Sequence, residues 1–171
     1  MADIVPPDVR SRMMSGIRGK NTKPELVIRK GLHAIGFRFR LHVKALPGKP
    51  DLVLPKYRAA LFVHGCFWHG HNCHLFRLPS TRQDFWLAKV DGNKQRDALA
   101  ESHLVSEGWR VGAIWECALR GRNALPFEDV IELCAHWLKS DAPLMEIRGR
   151  DEAGNALGLL YRRGGEAPFD G

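Results

Sequence analysis

Apolar and polar positions change their period along this chain, and each change marks an element. Over TKPELVIRKGLHAIG, Leu26, Ile28, Leu32 and Ile35 recur at helical spacing. Thr22 and Glu25 form a T-x-x-E capping box at its start, so the stretch predicts a helix. FRFRLHV, residues 37–43, alternates strictly and reads as a strand with one wet face. LPGKP is a turn. DLVLP and YRAALFVHG read as two more strands, the second apolar enough to be central. Residues 81–106 predict a long charged helix, and WRVGAIWE a strand. FEDVIELCAHWLKS predicts a helix with Val130, Leu133, Cys134, Trp137 and Leu138 inward. The end alternates weakly around GRDEAGN, compatible with a hairpin, and GGEAPFDG reads as a loose tail. The order is helix, three strands, helix, strand, helix. That order describes an α/β fold with a small mixed sheet flanked by helices.

Ahead of this core, residues 1–21 read as a short basic helix. Arg10, Arg12, Arg18 and Lys20 surround the apolar Met13, Met14 and Ile17. Three segments follow from the pattern: a basic N-terminal helix at 1–21, a main domain at 22–140, and an extension at 141–171.

Composition narrows the class. A chain of 171 residues, 44% hydrophobic, fits one cored domain with a small appendage. No apolar run approaches the roughly 20 residues of a bilayer helix. The N-terminus lacks an apolar stretch behind a basic start, so a cytoplasmic protein is expected. The formal charge of +7 points to a polyanion, with nucleic acid ahead of an anionic membrane. Four cysteines, at 66, 73, 117 and 134, read in that compartment as thiols or metal ligands rather than disulfides.

The candidate chemistry concentrates in HGCFWHGHNCHLF, residues 64–76. It holds four histidines, two cysteines, three aromatics and two glycines in thirteen residues. Just upstream, Pro50-Asp51 opens a strand, where a PD-(D/E)xK nuclease places its first metal-binding Asp. The second half of that signature is missing, because YRAALFVHG contains neither acid nor Lys. The segment after that strand supplies substitutes. A hard cation such as Mg²⁺ takes one carboxylate, one backbone carbonyl and several waters. Val63 offers a carbonyl whatever its side chain, and a nearby His offers the proton transfer that Lys performs elsewhere. Cys66, Cys73 and Cys117 with one histidine would make a Cys₃His zinc set. Spacing alone leaves His69, His71 and His74 open as the fourth ligand.

HGCFWHGHNCHLF, with PGKPD before it and WECALRG after it, resembles the very short patch repair (Vsr) endonucleases. RGKNTKPE and TRQDFWLAKV extend the resemblance in register from about residue 10 to 140. These bacterial enzymes nick DNA beside T:G mismatches left by deamination of 5-methylcytosine. The resemblance implies a restriction-endonuclease-like core of the PD-(D/E)xK type with a structural zinc site. It implies Mg²⁺ held by Asp51 and the Val63 carbonyl, although Val63 stands where a family relative has Thr. It places His64 and His69 beside the scissile phosphate, with His69 the water activator and Glu25 behind them. It selects Cys66, His71, Cys73 and Cys117 for Zn²⁺, leaving Cys134 to the core. It gives Phe67, Trp68 and Trp86 a wedge role from the major groove, and Met14 an approach from the minor groove. Arg10, Arg12, Arg18 and Lys20 would then clamp phosphates. The expected partner is double-stranded DNA carrying a T:G mismatch, met by a monomer, with the repair ATPase MutL downstream and no membrane involved. Two other readings compete: a restriction-like nuclease without mismatch preference, and a non-catalytic zinc-stabilised DNA-binding module.

Overall fold

The computed structural model describes residues 6, 8–9, 19–151 and 153–154. Met14, Arg10, Arg12 and Arg18, with nearly all of the expected N-terminal helix, lie outside the described residues, as do residues 155–171, which include the expected tail and the second arm of the expected hairpin.

The first helix, α1 (Lys23–Ala34), starts at Thr22 with both halves of the capping box in place. Its buried face is Glu25, Ile28 and Leu32, spaced three and four apart. This corrects the expected stripe: Leu26 is 39% exposed and Ile35 54%. The inward place at the start of the helix belongs to an acid.

The strand expected over 37–43 shrinks to β1 (Arg40–Leu41). Phe37 and Phe39 turn into the core instead. His42 has φ of 50°, in the left-handed region, which takes the chain out of the ladder. β2 (Leu52–Leu54) ends at Pro55 and a single 3-10 turn. β3 (Ala59–His64) is central, as its apolar run predicts. The long helix α2 (Gln83–Ser106) crosses over to β4 (Arg110–Trp115), which runs parallel to β3. A one-turn helix α3 (Glu116–Leu119) follows, then α4 (Phe127–Lys139). α4 buries Val130, Ile131, Cys134, Trp137 and Leu138, so Ile131 takes the place expected for Leu133, which is half-buried. Sequence pattern missed β5 (Leu144–Ile147), the fifth strand of the sheet, parallel to β4. The sheet order is β1-β2-β3-β4-β5, antiparallel on the β1 side and parallel on the β5 side. It is thus a five-stranded mixed sheet in an α/β fold.

The two sheet faces differ. Leu61, Ile114, Met145 and Ile147 meet α1 and α4 in the main core, with Trp137 the largest buried side chain. Close approach here needs glycine twice. A Cβ on Gly31 would stand 2.4 Å from Ile131 across the α1–α4 contact, and one on Gly112 would stand 2.6 Å from Leu61. The other face carries a smaller cluster, Ala60, Leu104 and Val111, beneath α2. No helix among the described residues is long and apolar enough to cross a membrane.

Candidate active site and metal centre

The antiparallel pairing of β2 with β3 sets Asp51 beside the end of β3. The Asp51 N–H donates to the Leu61 carbonyl at 2.9 Å, and the Val63 N–H donates to Asp51 Oδ2 at 2.7 Å. Burial pushes the Asp51 carboxyl up to about 6, against the pull of the Val63 N–H; the Glu25 charge adds to the rise. Glu25 reaches this spot because it lies on the buried face of α1. It ion-pairs with Arg29, and His42 Nε2 stands 3.2 Å from it. One carboxyl oxygen also accepts the Thr22 N–H at 3.3 Å, so Glu25 closes its helix cap and faces the site at once. Ligand atoms of Glu25, His42 and Asp51 all lie within 4.8 Å of one another. His42 was not expected here; the left-handed turn that ends β1 delivers it.

A second group sits at the end of β3. His64 and His69 face each other with ring centroids 4.1 Å apart. His64 lies between Phe62 and Trp115, at 5.5 and 5.0 Å. Burial, reinforced by the His69 charge, pushes His64 down to about 3, so it is neutral at pH 7. His69 Nδ1 stands 2.5 Å from Asp97 Oδ2, which leaves Nε2 as the working nitrogen. Asp97 belongs to α2, whose sequence reads only as a long charged helix. It falls one heptad after buried Val90 and one before buried Leu104, on the inward stripe.

The loop after β3 folds on itself. The His71 N–H donates to the Cys66 carbonyl at 2.9 Å, and the His69 N–H to the Gly65 carbonyl at 3.2 Å. Cys66, His71, Cys73 and Cys117 converge, with ligand atoms within 4.8 Å of one another. His71 Nδ1 is 3.6 Å from Cys66 Sγ and 3.5 Å from Cys117 Sγ. The His71 ring stacks on Trp115 at 4.2 Å, which fixes its direction. The Cys117 N–H donates to Cys66 Sγ and the Gly149 N–H to Cys117 Sγ, each at 3.3 Å. Cys117 is pushed down to about 4, first by its contact with Cys66 and then by His71 and the Gly149 N–H. Cys66 is pushed up by the same contact. Three thiols, one imidazole and N–H groups aimed at sulfur suit a soft tetrahedral ion. Cys134 stands apart, fully buried on α4 with its thiol pushed up to about 12 by burial.

Phe67, Trp68 and Trp86 form a half-exposed aromatic patch. Phe67 lies 5.2 Å from Trp68 and 5.6 Å from Trp86, and the two tryptophans 6.1 Å apart. Asn93 ties the loop to α2 through the Trp68 carbonyl at 2.7 Å. Phe85, 45% exposed, extends the patch. Lys20, Lys89 and Lys94 are exposed. A cleft of about 370 Å³ beside the cysteine set is lined by Arg122, Arg148 and Arg150.

Residues 2–75 match the family described as DNA mismatch endonuclease Vsr. The chain is 50% identical over 125 residues to the type II nicking enzyme V.XorIIP of Xanthomonas oryzae pv. oryzae, spanning 73% of this chain and 92% of the relative. It is 42% identical over 147 residues to the DNA mismatch endonuclease Vsr of Escherichia coli, spanning 86% and 94%. It is 44% identical over 122 residues to the type II nicking enzyme V.NmeAIP of Neisseria meningitidis, spanning 71% and 87%.

Proposed function

Since the chain belongs to the Vsr family and is a DNA endonuclease, we propose that it nicks one strand of duplex DNA beside T:G mismatches, in a Mg²⁺-dependent reaction that starts very short patch repair. The observation that carries this reading is the placement of two groups about the end of β3: Asp51 with Glu25, tied to the strand through the Val63 N–H, and His64 with His69 and Asp97.

Asp51 and the Val63 carbonyl would hold the Mg²⁺. When bound, the ion neutralises charge developing on the attacked phosphate. Everything else falls to side chains. His69, aimed by Asp97, takes the proton from the attacking water through Nε2. His64, neutral and wedged between rings, hydrogen-bonds the phosphate without competing for that proton. Glu25, neutralised in part by Arg29, orders the waters around Asp51. A Cys66, His71, Cys73 and Cys117 zinc site would hold rigid the loop that carries His64 and His69.

Substrate selection rests on the aromatic patch. Phe67, Trp68 and Trp86 enter an opened base step from the major groove, and Met14 approaches from the minor groove. Stacking of a ring on a base is worth roughly 1–3 kcal/mol. That is comparable to unstacking one step, so a weakened T:G pair opens where a sound pair resists. Arg10, Arg12, Arg18 and Lys20 of the 1–21 segment clamp phosphates while the 22–140 domain does the chemistry. The enzyme works as a monomer on its site, and MutL is the expected downstream partner.

The test is Asp51→Ala on a T:G duplex with Mg²⁺. Nicking should fall by three orders of magnitude or more, while binding changes less than threefold, since no stacking residue is touched. Wild-type nicking by this variant would dismiss the site. Equal cutting of T:G and fully paired duplexes by the wild type would favour the restriction-like alternative.

A further inference from the structure

The pair of histidines at the end of β3 has a property that Mg²⁺ chemistry does not use. One ligand atom from each of His64, His69 and Asp97 lies within 4.8 Å of the others. Two imidazoles and one carboxylate are ligands for a late first-row transition ion, not for Mg²⁺, which prefers oxygen. We propose that His64, His69 and Asp97 form a second zinc-class site, separate from the cysteine set, whose filling silences the nuclease.

The geometry needs little adjustment. Ligand atoms around a tetrahedral zinc stand roughly 3.3 Å apart, given metal–ligand distances of about 2.0 Å. His69 Nδ1 and Asp97 Oδ2 are at 2.5 Å, already too close for co-ligands but joined only by a bond that opens with a small turn of Asp97. Asp97 is 33% exposed and His69 25%, so both side chains can move and an ion can enter from solvent. His64 is the fixed member, held by Phe62 and Trp115. A cavity of about 160 Å³ runs past His64, Asp97, Trp115, Glu101 and Glu146 and leaves space for coordinated water. On its wall Glu101 and Glu146 add negative potential to that of Asp97.

Three protein ligands leave the fourth position to water, the arrangement of an open zinc site. Such an ion would occupy the nitrogen of His69 or break its pairing with Asp97. Either outcome removes the group that activates water. This part rests on the nuclease reading above; the binding part does not.

The experiment uses the full chain loaded with one zinc, and dialysis against graded Zn²⁺ without DNA. A second equivalent should bind at micromolar Zn²⁺. Asp97→Asn and His69→Gln should each weaken that second equivalent at least tenfold and leave the first in place. Co²⁺ gives an independent signature: the second equivalent should add weak visible bands without new sulfur-to-metal charge transfer. In parallel, nicking at fixed Mg²⁺ should fall in step with the second equivalent. Absence of a second equivalent, or one that binds both variants like the wild type, overturns the proposal. Zinc inhibition that precedes the second equivalent overturns it too, by placing the inhibitory ion at Asp51. Failure to nick a T:G duplex with Mg²⁺ even without added Zn²⁺ would refute the mismatch-nicking reading while the dialysis still decides the site.

Discussion

Burial raises the cost of a charge at Asp51. With its carboxyl at about 6 and an ordinary value near 3.8, the folded chain holds a proton that the unfolded chain has released. Below about pH 4 both states are protonated, and Asp51 costs nothing. Between pH 4 and 6 stability falls as pH rises, because the folded state binds more protons. Above 6 the whole penalty is present. Asp51→Asn keeps the acceptor for the Val63 N–H and has no charge. In Mg²⁺-free buffer it should be more stable than wild type by roughly 2 kcal/mol at pH 8, from the size of the shift. The gap should vanish near pH 4, and added Mg²⁺ should narrow it at pH 8 by binding wild type alone. Urea titrations at three pH values check this; a gap that grows toward low pH would contradict it. Sequence showed Asp51 through its Pro-Asp start and the histidines through their density. It did not show Asp97, because an acid on a charged helix looks like solvent-facing charge. The available signal was its place one heptad from Val90 and Leu104. Glu25 was visible as a cap and, through the family resemblance, behind the histidines; the apolar period alone gave its inward place to Leu26, which faces solvent.

At the scale of elements, the loop after β3 is fastened at three points. Cys66 begins it, Cys117 brings α3, and the Gly149 N–H brings the chain just after β5. Loss of a metal there would free all of them. Cys117→Ser should reduce zinc from about one per chain toward none. It should also lower stability by more than about 3 kcal/mol, the class of loss that follows removal of a structural metal. Cys134→Ser is the control: it lies in the α4 core and should keep its zinc. Metal analysis with thermal melts decides, and zinc retained in Cys117→Ser would remove Cys117 from the set. The elements read best from sequence were those with a whole period to show: α1, β3, α2, β4 and α4. β1 was overread because Phe37 and Phe39 alternate for the sake of the core rather than a ladder. β5 was missed because Leu144–Ile147 is only four residues, with Glu146 in its middle bonded to the Trp115 indole at 2.8 Å.

For the whole molecule, affinity and selectivity should separate by location. Trp68→Ala should reduce T:G binding more than binding to a paired duplex, narrowing the ratio between them about tenfold, as loss of one stacked ring allows. Arg12→Ala should weaken both alike and make the salt slope shallower by about one unit per lost phosphate contact. Titrations of matched duplexes at several salt concentrations, with Ca²⁺ in place of Mg²⁺, separate the two. Equal losses for Trp68→Ala would make the ring structural. The abrupt end of β1 also has a consequence beyond delivering His42. An open sheet edge is a template for another chain to add strands, and proteins that crowd together in cells must blunt it. Here the edge offers only Arg40 and Leu41 before His42 turns away, and an arginine supplies half of it. A neighbouring molecule would find a ladder too short to extend and a charge to bury, so β1 gives aggregation little to build on.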